Sequence, residues 1–130
     1  MTIPVLFDTH ALLWLLAGDK RLSTRARHIV ADSGTELVVS AASLWEIVLK
    51  HQAGKLKLDV PLEDFLEAIT SQESWRLLPV TPAHIRALCN LPKLHKDPFD
   101  RLLIAQTELE NMILLTADSA ITAYAVRTTW

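Results

Sequence analysis

The sequence contains little cysteine and little glycine. Cys89 is the only cysteine among the 130 residues, which excludes an internal disulfide and a zinc site built from several cysteines. A lone cysteine fits a reducing compartment, and we expect Cys89 to be a small buried apolar residue. The three glycines, Gly18, Gly34 and Gly54, each follow a helical pattern, so all three are assigned to left-handed helix ends.

Long apolar segments are missing as well. The longest uninterrupted apolar run covers residues 11–17, and the N-terminus lacks the charged and then apolar pattern of an export signal. A membrane-spanning helix needs about 20 apolar residues, so the sequence predicts no membrane span and a cytoplasmic protein. With 50% apolar residues the chain is long enough for one core, which predicts a single domain over residues 1–130.

The charge balance gives no general attraction to nucleic acid. The formal net charge is −2 and the pI is about 6.2, so binding to RNA must depend on local basic clusters or bound cations. Two such clusters occur, the first at Lys20, Arg21, Arg25 and Arg27 and the second at Lys93, His95, Lys96 and Arg101. Basic clusters are often only solvated faces, but Lys96 and Arg101 stand near acidic residues and are candidates for substrate binding.

Hydrophobic periodicity predicts alternating strands and helices. Short apolar or β-branched runs predict strands at 3–7, 36–39, 75–80, 112–115 and 126–129. Helical patterns occur at 9–17, 23–33, 42–53, 62–72, 83–90, 99–111 and 120–124. This alternation is typical of βαβ units, so we expect an α/β fold with a mainly parallel sheet of four to five strands.

The tryptophans and histidines do not form a motif. Trp14, Trp45, Trp75 and Trp130 fall in or beside predicted elements or at the end of the chain, so packing is the expected role of all four. The five histidines lack the paired spacing of a zinc helix, which argues against a histidine-bound metal. His10 and His95 stand beside acids, and contact with a substrate is a second interpretation for both.

Four acidic residues stand at or near the points where strands give way to helices. Asp8 directly follows the first predicted strand, Glu46 lies one to two turns into the helix after the second, and Asp118 follows the fourth. Asp100 instead opens the helix that leads into the fourth strand. Strand-to-helix junctions of a parallel sheet share its carboxyl edge, where open α/β folds bind ligands. We therefore expect the four acids to meet in space.

Helix capping is the competing interpretation of these acids. Aspartate is a favoured N-cap, so Asp8 and Asp118 each fit the cap of the following helix, and residues 43–46 spell a capping box. The junction at Thr81-Pro82 offers a control, because it also starts a helix and has no acid. Capping therefore does not require the carboxylates.

The turn Asp97-Pro98-Phe99-Asp100 contains two acids with separable roles. Proline suits the first helical position, so the preceding residue, Asp97, is the expected cap. This assignment leaves Asp100 for metal, although Asp97 stays a possible further ligand.

Convergence of bare carboxylates would strain the fold. Two carboxylates about 5 Å apart repel each other by roughly 3 kcal/mol at an effective dielectric of about 20. A divalent cation removes this repulsion, and a site of oxygen ligands with open positions suits Mg²⁺ or Mn²⁺. Such an ion would bridge a phosphate and activate a water for in-line attack, which predicts phosphodiester hydrolysis.

Four segments share their pattern with a known family: residues 5–10 (VLFDTH), 40–47 (SAASLWEI), 97–106 (DPFDRLLIAQ) and 115–118 (LTAD). They resemble the PIN domain, and in particular the VapC-type toxins of bacterial toxin–antitoxin pairs, and the resemblance runs over the whole chain. By position, it implies metal-binding and catalytic roles for Asp8, Glu46, Asp100 and Asp118, with Thr9 and Thr116 as supporting hydroxyls. It further implies an α/β/α sandwich, a homodimer, endonuclease cleavage of RNA with Mg²⁺ or Mn²⁺, and inhibition by a cognate antitoxin.

Other classes of protein fit the sequence less well. Phosphotransfer enzymes of the haloacid dehalogenase type need a second aspartate two positions after the first, where this chain has His10. A receiver-type signalling domain needs an acceptor aspartate after a middle strand, and no acid follows residues 75–80. A noncatalytic PIN-like module that binds RNA or protein stays the alternative, although the presence of all four carboxylates favours an enzyme.

Overall fold

The computed structural model describes residues 2–130 and contains a five-stranded sheet. The strands are β1 (Val5–Phe7), β2 (Leu37–Ser40), β3 (Trp75–Leu78), β4 (Ile113–Leu115) and β5 (Thr128–Thr129). Their order across the sheet is β3-β2-β1-β4-β5, and every neighbouring pair is parallel. The predicted α/β fold and all five predicted strands are confirmed, and the strand ends shift by at most two residues.

Seven α-helices occur within the same residues. They are α1 (Thr9–Ala17), α2 (Thr24–Ala31), α3 (Ala41–Gln52), α4 (Leu62–Thr70), α5 (Pro82–Ala87), α6 (Pro98–Leu109) and α7 (Ser119–Thr122). A 3-10 helix, Leu88–Asn90, extends α5 and completes the stretch predicted as one helix. Each helix was expected from the apolar periodicity, so the predicted element order is confirmed.

Alternate residues of the central strand enter two separate hydrophobic cores. Val5 and Phe7 of β1 belong to a cluster of buried side chains that includes Leu12 of α1. Leu6, between them, belongs to a second cluster with Leu103 of α6. Since successive strand residues point to opposite faces, helices cover both faces of the sheet, and the expected three-layer α/β/α sandwich is confirmed.

The strand order determines where the sheet can bind a ligand. β1 lies between β2 and β4, so the residues that follow these three strands meet at one carboxyl edge. β2 and β3 lie to one side of β1 and β4 and β5 to the other, which places a topological switch point between β1 and β4. Ligand sites of open α/β sheets lie at such a point.

Side chains cap most of the helices. Six of the seven helices in residues 2–130 have a side-chain N-cap: Asp8, Ser23, Ser40, Thr81, Asp97 and Asp118. The capping roles of Asp8, Asp97 and Asp118 are therefore confirmed. The capping box at residues 43–46 is wrong, because α3 begins at Ala41 with Ser40 as its cap, so these residues lie inside the helix.

Two of the three glycines end helices as predicted. Gly18 and Gly54 have φ angles of 63° and 73°, in the left-handed region that glycine adopts without strain. The prediction for Gly34 is wrong, since its φ is not positive. There the chain turns through a side chain instead, because the Gly34 N–H donates to Asp32 Oδ1 at 3.0 Å.

Two side chains are more exposed than the sequence predicted. Cys89 is exposed rather than buried, because it lies in the 3-10 helix at the surface. Trp45 is 60% exposed, so the expectation that all four tryptophans pack inside is wrong for this residue. In the part of the chain that the structure describes, no helix has the length and apolar character needed to cross a membrane.

Candidate metal centre

The four predicted acids lie on elements that converge at the carboxyl edge of the sheet, and two of them, Asp100 and Asp118, offer ligand atoms within 4.8 Å of each other and of His95. Asp8 directly follows β1, and Asp118 lies three residues after β4. Glu46 lies in the second turn of α3, and Asp100 lies in the first turn of α6. Asp8, Glu46 and Asp100 are buried, whereas the Asp118 side chain is 38% exposed. We call these four side chains the acidic cluster.

Each carboxylate of the acidic cluster has one oxygen close to another group of the protein, although the contact of Asp100 with His95 is not aligned as a hydrogen bond. The partners are the Ala11 N–H for Asp8 (2.6 Å), Lys50 Nζ for Glu46 (2.7 Å), His95 Nε2 for Asp100 (2.9 Å) and the Ala120 N–H for Asp118 (2.9 Å). Holding one oxygen fixes the direction in which the other can accept a ligand. Capping and metal binding, which the sequence presents as alternatives, are therefore compatible in Asp8 and Asp118.

Glu46 provides the observation that bears most directly on a cation. Its side chain is 2% exposed, and Oε1 has no hydrogen-bond partner among residues 2–130. Buried polar atoms are normally paired, because an unpaired one loses its hydration without compensation. Carboxylate oxygens are the ligands that Mg²⁺ and Mn²⁺ prefer, so this residue and its three acidic neighbours fit such an ion.

Burial dominates the electrostatics of Asp8. It raises the pKa of this carboxyl above its usual value of 3.8, and the negative charge of Asp118 raises it further. Hydrogen bonds from the Thr116 hydroxyl and the Ala11 amide lower the pKa in part, as does His10. Asp8 and Asp118, which follow β1 and β4, also line one cavity at the switch point.

The pKa of Asp100 is raised as well. Burial, and then the negative charge of Asp97, raise its pKa from 3.8 to about 7. The charges of Glu46 and Asp8 add to this effect, whereas His95 opposes it. A carboxyl surrounded by three other acids is the arrangement that a bound divalent cation would relieve.

Two contacts join the helices that carry Glu46 and Asp100. The Ser40 hydroxyl, at the start of α3, donates to Gln106 Oε1 of α6 at 2.6 Å. The rings of Trp45 and Phe99, each next in sequence to one of the acids, pack edge to face with centroids 5.1 Å apart. These contacts hold α3 and α6 in a fixed relation at the cluster.

His95 enters the acidic cluster directly. Its Nε2 lies 2.9 Å from Asp100 Oδ2 and 3.5 Å from Asp118 Oδ2, aligned as a hydrogen bond with neither. The sequence pointed only to a possible contact with substrate, because no paired-histidine motif is present. Its position shows that it acts first on the carboxylates themselves.

The two predicted supporting hydroxyls lie beside the acids. Thr9 is buried, and its Oγ1 donates to Ser43 Oγ at 3.0 Å, which ties α1 to α3. Thr116 is also buried, and its Oγ1 accepts from the Asp118 N–H at 3.0 Å. Both hydroxyls therefore brace the backbone or the helices that present the carboxylates.

The remaining predicted site residues have other positions. Asp97 Oδ1 accepts from the Phe99 and Asp100 amides, as expected of the α6 cap. Lys96 is exposed at the surface of the adjoining turn. The guanidinium of Arg101 donates to the carbonyls of Leu91 and Pro92 and to the Tyr124 hydroxyl. Contact of Lys96 and Arg101 with substrate stays a prediction.

The first basic cluster is partly committed to internal contacts. Arg21 forms an ion pair of 2.7 Å with Asp19 and lies over the ring of Trp14 at 4.8 Å. Arg27 donates to the carbonyl of Asp19 at 3.2 Å. Lys20 and Arg25 are exposed.

Lys50 is a charged residue of the site that the sequence analysis missed. Burial lowers the pKa of its ammonium, but a hydrogen bond with Glu46 and the charges of Glu46, Asp97 and Asp100 raise the pKa by more. The signal was available, because Glu46 and Lys50 are four residues apart on one helix, the spacing of an ion pair.

A small cavity opens beside the cluster. It has a volume of about 240 Å³ and is lined by Asp8, His10, Trp14, Ala117 and Asp118. Trp14 also lines a larger groove of about 400 Å³ formed by α1 and the segment before α4, with Leu13, Leu56 and Phe65 among its walls. The two spaces share Trp14 as a lining residue, and the groove also has charged walls at Asp19, Arg21, Lys57 and Asp59.

Comparison with known proteins finds one matching family and several similar structures. The family model described as PIN domain matches residues 5–127. Searching the curated proteins gives no match. Similar solved structures include VapBC2 from Rickettsia felis bound to a DNA fragment from their promoter, with a TM-score of 0.74 at 13% identity over 98% of both chains.

Two further structures are similar over nearly the whole chain. FitAcB from Neisseria gonorrhoeae gives a TM-score of 0.69 at 16% identity, covering 97% of this chain and 96% of the other. A toxin–antitoxin complex from Klebsiella pneumoniae gives 0.67 at 16% identity with the same coverage. At such identities the similarity concerns the fold.

Proposed function

The chain belongs to the PIN domain family, and on this basis we propose that it is a ribonuclease, dependent on Mg²⁺ or Mn²⁺, that acts as the toxin of a toxin–antitoxin pair. The proposed metal ligands and catalytic residues are Asp8, Glu46, Asp100 and Asp118, with Thr9 and Thr116 as supporting hydroxyls and Lys96 and Arg101 as substrate contacts. A cytoplasmic location remains part of this proposal.

The proposal rests on which carboxylate oxygens already have a partner in the protein and which do not. Asp8 and Asp118 each have one oxygen held by a backbone amide and Glu46 has one held by Lys50, whereas Glu46 Oε1 is buried without a partner among residues 2–130. A protein that used these acids only as helix caps would not need Glu46, which lies inside α3 and caps nothing. Binding of a cation would explain why Glu46 is buried with an unpaired oxygen.

The proposed chemistry is hydrolysis of a phosphodiester bond. A divalent cation supplies charge stabilisation to the phosphate and lowers the pKa of a water for in-line attack. The chain holds the oxygens of Asp8 and Asp118 with backbone amides at helix starts, so these ligands need little reorganisation. Lys50 offsets part of the negative charge of Glu46, which limits repulsion of the anionic substrate.

RNA is the proposed substrate because the four motif segments resemble those of VapC-type toxins. The net charge of the chain is −2, so the protein as a whole does not attract a polyanion such as RNA. The attraction must come from the bound cation and from local basic residues. Lys96, exposed in the turn that carries His95, is the basic residue best placed for such a contact.

An antitoxin is the proposed protein partner. The similar structures include a complex described as toxin–antitoxin, and the cavity at the acids shares Trp14 with a larger, partly apolar groove. A partner segment with apolar side chains for the groove and a basic side chain for the acids would cover both spaces. Such a segment would block substrate and replace the charge of the cation.

A homodimer is proposed from exposed apolar side chains on one helix. Trp45 and Leu49 of α3 lie four residues apart, so they share a face, and they are 60% and 41% exposed. Ile85 of α5 is 49% exposed as well. Apolar surface of this kind commonly marks a protein contact.

The competing proposal is a noncatalytic module that binds RNA or protein. Incubation of labelled RNA with the purified protein, in Mn²⁺ or Mg²⁺ and again in EDTA, separates the two. We expect cutting only with the metal and none by Glu46→Gln, whereas Glu73→Gln, an equal charge change at an exposed position, should cut normally. Cutting in EDTA would refute the metal mechanism, and tight RNA binding without cutting under either metal would favour the module.

Expression in bacteria tests the toxin role separately. The wild type should arrest growth, and Asp8→Asn should not, because arrest would require the intact acidic cluster. Equal arrest by both proteins would show that toxicity does not come from catalysis. Co-expression of a small partner encoded beside the toxin should restore growth if that partner is the antitoxin.

A further inference from the structure

The turn that brings His95 and Asp97 to the acidic cluster lacks regular secondary structure. It covers residues 91–97, between the 3-10 helix and α6. Because no helix or strand hydrogen bonds fix it, its position depends on contacts with side chains. Those contacts come mainly from Arg101 and from Tyr124, the only tyrosine of the chain.

Tyr124 holds this turn through its hydroxyl oxygen. The oxygen accepts from the Leu94 N–H at 3.0 Å and from the His95 N–H at 2.9 Å. Arg101 Nη1 donates to the same oxygen at 3.2 Å and to the Pro92 carbonyl at 2.8 Å. The Tyr124 ring is buried in the core on the α6 face of the sheet, so the hydroxyl is a rigid anchor for the backbone of His95.

The ring of His95 is oriented by a second contact. The Asp97 N–H donates to Nδ1 at 3.3 Å, so Nδ1 is an acceptor and the neutral imidazole carries its proton on Nε2. Nε2 lies between Asp100 Oδ2 and Asp118 Oδ2, at 2.9 and 3.5 Å. The tautomer therefore presents an N–H to two carboxylates and cannot offer a lone pair to a metal there.

His84, away from the cluster, resembles His95 in its Nδ1 contact, but its Nε2 forms a hydrogen bond with a carboxylate, which that of His95 does not. Its Nδ1 accepts from the Thr81 N–H at 3.0 Å, and its Nε2 lies 2.9 Å from Glu110 Oε2. There the ring completes a helix cap and holds one partly exposed carboxylate. His84 thus provides an internal reference for the tautomer of His95.

We propose that Tyr124 is a positioning residue of the acidic cluster, whose hydroxyl fixes the turn 91–97 so that the Nε2–H of His95 lies between Asp100 and Asp118 and offsets their repulsion at the spacing of a shared cation. The inference rests on the proposed metal-dependent function. The oxygens of Asp100 and Asp118 that face His95 lie within 4.8 Å of Nε2 and of each other. Without an N–H between them, the two carboxylates repel and separate.

Removal of the Tyr124 hydroxyl should weaken metal binding without disturbing the core. Tyr124→Phe keeps the ring in the core but leaves two backbone amides without their acceptor, so the turn relaxes toward water. Nε2 then withdraws from the carboxylates. Groups that orient metal ligands typically account for about 10- to 100-fold in metal affinity. We expect a fall of about tenfold in Mn²⁺ affinity for Tyr124→Phe.

The test measures binding of Mn²⁺ alone, by calorimetry or by the paramagnetic resonance of free Mn²⁺. Tyr124→Phe and His95→Leu should each weaken binding about tenfold. The double variant should lose no more affinity than either single variant, because Tyr124 acts through His95. His95→Gln, which keeps an N–H donor, should recover part of the loss. Thr107→Val removes another buried hydroxyl, which donates to the Leu103 carbonyl, and should bind Mn²⁺ normally.

The nitrogen resonances of the imidazoles give a readout that needs no metal. In the wild type, His95 and His84 should both show protonated Nε2 and unprotonated Nδ1, and Tyr124→Phe should change the spectrum of His95 while leaving His84 unchanged. A proton on Nδ1 of His95 in the wild type would overturn the proposal even if the variants failed to fold.

The outcomes separate this inference from the proposed function. If the wild type binds no Mn²⁺, both the positioning role of Tyr124 and the proposed metal-dependent function are refuted. A wild type that binds Mn²⁺, together with a folded Tyr124→Phe that binds it within twofold of the wild type, would remove the positioning role and leave the nuclease proposal intact. Losses that add in the double variant would also overturn it, because Tyr124 and His95 would then act independently.

Discussion

Lys50 Nζ lies 2.7 Å from Oε2 of Glu46, one turn earlier in α3. The carboxylate is 2% exposed and its other oxygen has no hydrogen-bond partner in residues 2–130, whereas the lysine side chain is 35% exposed. The ammonium is thus the positive charge that the protein itself supplies to Glu46. A bound cation would supply a second one on the opposite side of the same carboxylate.

We expect Lys50→Gln to lower the melting temperature in EDTA and to increase the stabilisation that Mn²⁺ gives. The loss should be about 1–2 kcal/mol, less than for a fully buried ion pair because the lysine is partly hydrated. Thermal melts with and without Mn²⁺ measure both effects. Lys55→Gln, at an exposed position after α3, is the control and should match the wild type. If Mn²⁺ raised the melting temperature of Lys50→Gln no more than that of the wild type, Glu46 would not be a ligand.

Asp97 and Asp100 should respond in opposite ways to the same substitution. Asparagine caps a helix about as well as aspartate, so Asp97→Asn should keep the hydrogen bonds to the Phe99 and Asp100 amides and most of the activity. Asp100→Asn should lose on the order of a hundredfold or more in cleavage rate, because an amide is a poor ligand for a hard cation. It should also gain stability in EDTA as buried negative charge falls.

Melting curves and cleavage rates of these two variants test the assignment together. Loss of cleavage in Asp97→Asn, with Asp100→Asn near wild type, would invert the assignment. Asp64→Asn, in the first turn of α4, provides the same change of charge at an exposed position. Its cleavage rate should be unaffected.

The sequence predicted those parts of the fold and site that depend on local pattern. Asp8 and Asp118 directly follow or nearly follow apolar strands, so the parallel sheet alone placed them at one edge. Trp45 was misjudged because α3 has apolar residues on its exposed face as well as its buried one, so periodicity did not identify the inner side. Tyr124 and His95 were not linked, since the turn 91–97 has no period and their contact is made between residues distant in sequence.

Stability without metal should fall as pH rises from about 4 to about 7. The pKa of Asp100 is 3.8 in the unfolded chain and about 7 in the folded one, so between these values the folded state binds more protons. Deprotonation of the folded protein then costs stability, and the raised pKa of Asp8 acts in the same direction. Asp19, whose pKa is lowered to about 2, titrates below this window.

Urea unfolding in EDTA across this pH range measures the slope. Asp100→Asn should flatten it, because the substituted side chain does not titrate. An unchanged slope in this variant would show that other groups cause the decline. Since Mn²⁺ must displace the proton of Asp100, the stabilisation by Mn²⁺ should be larger at pH 8 than at pH 6.

Substitution of the exposed apolar face of α3 should produce a monomer. The double variant Trp45→Ser and Leu49→Ser removes side chains that are 60% and 41% exposed, so it should weaken self-association, while loss of the Trp45–Phe99 contact should cost part of the folding stability. Light scattering after gel filtration reports the mass. Leu109→Ser, 46% exposed at the end of α6, should leave the mass unchanged. A wild type that is monomeric at high concentration would refute the homodimer.

The acidic cluster joins residues from both ends of the chain, with Asp8 after β1 and Asp118 after β4. β1 cannot pair with β4 until the ribosome has released nearly the whole protein, so a growing chain contains no complete cluster. An unfinished or prematurely terminated product would therefore lack the complete acidic cluster. The proposed nuclease activity would begin only when synthesis is nearly complete.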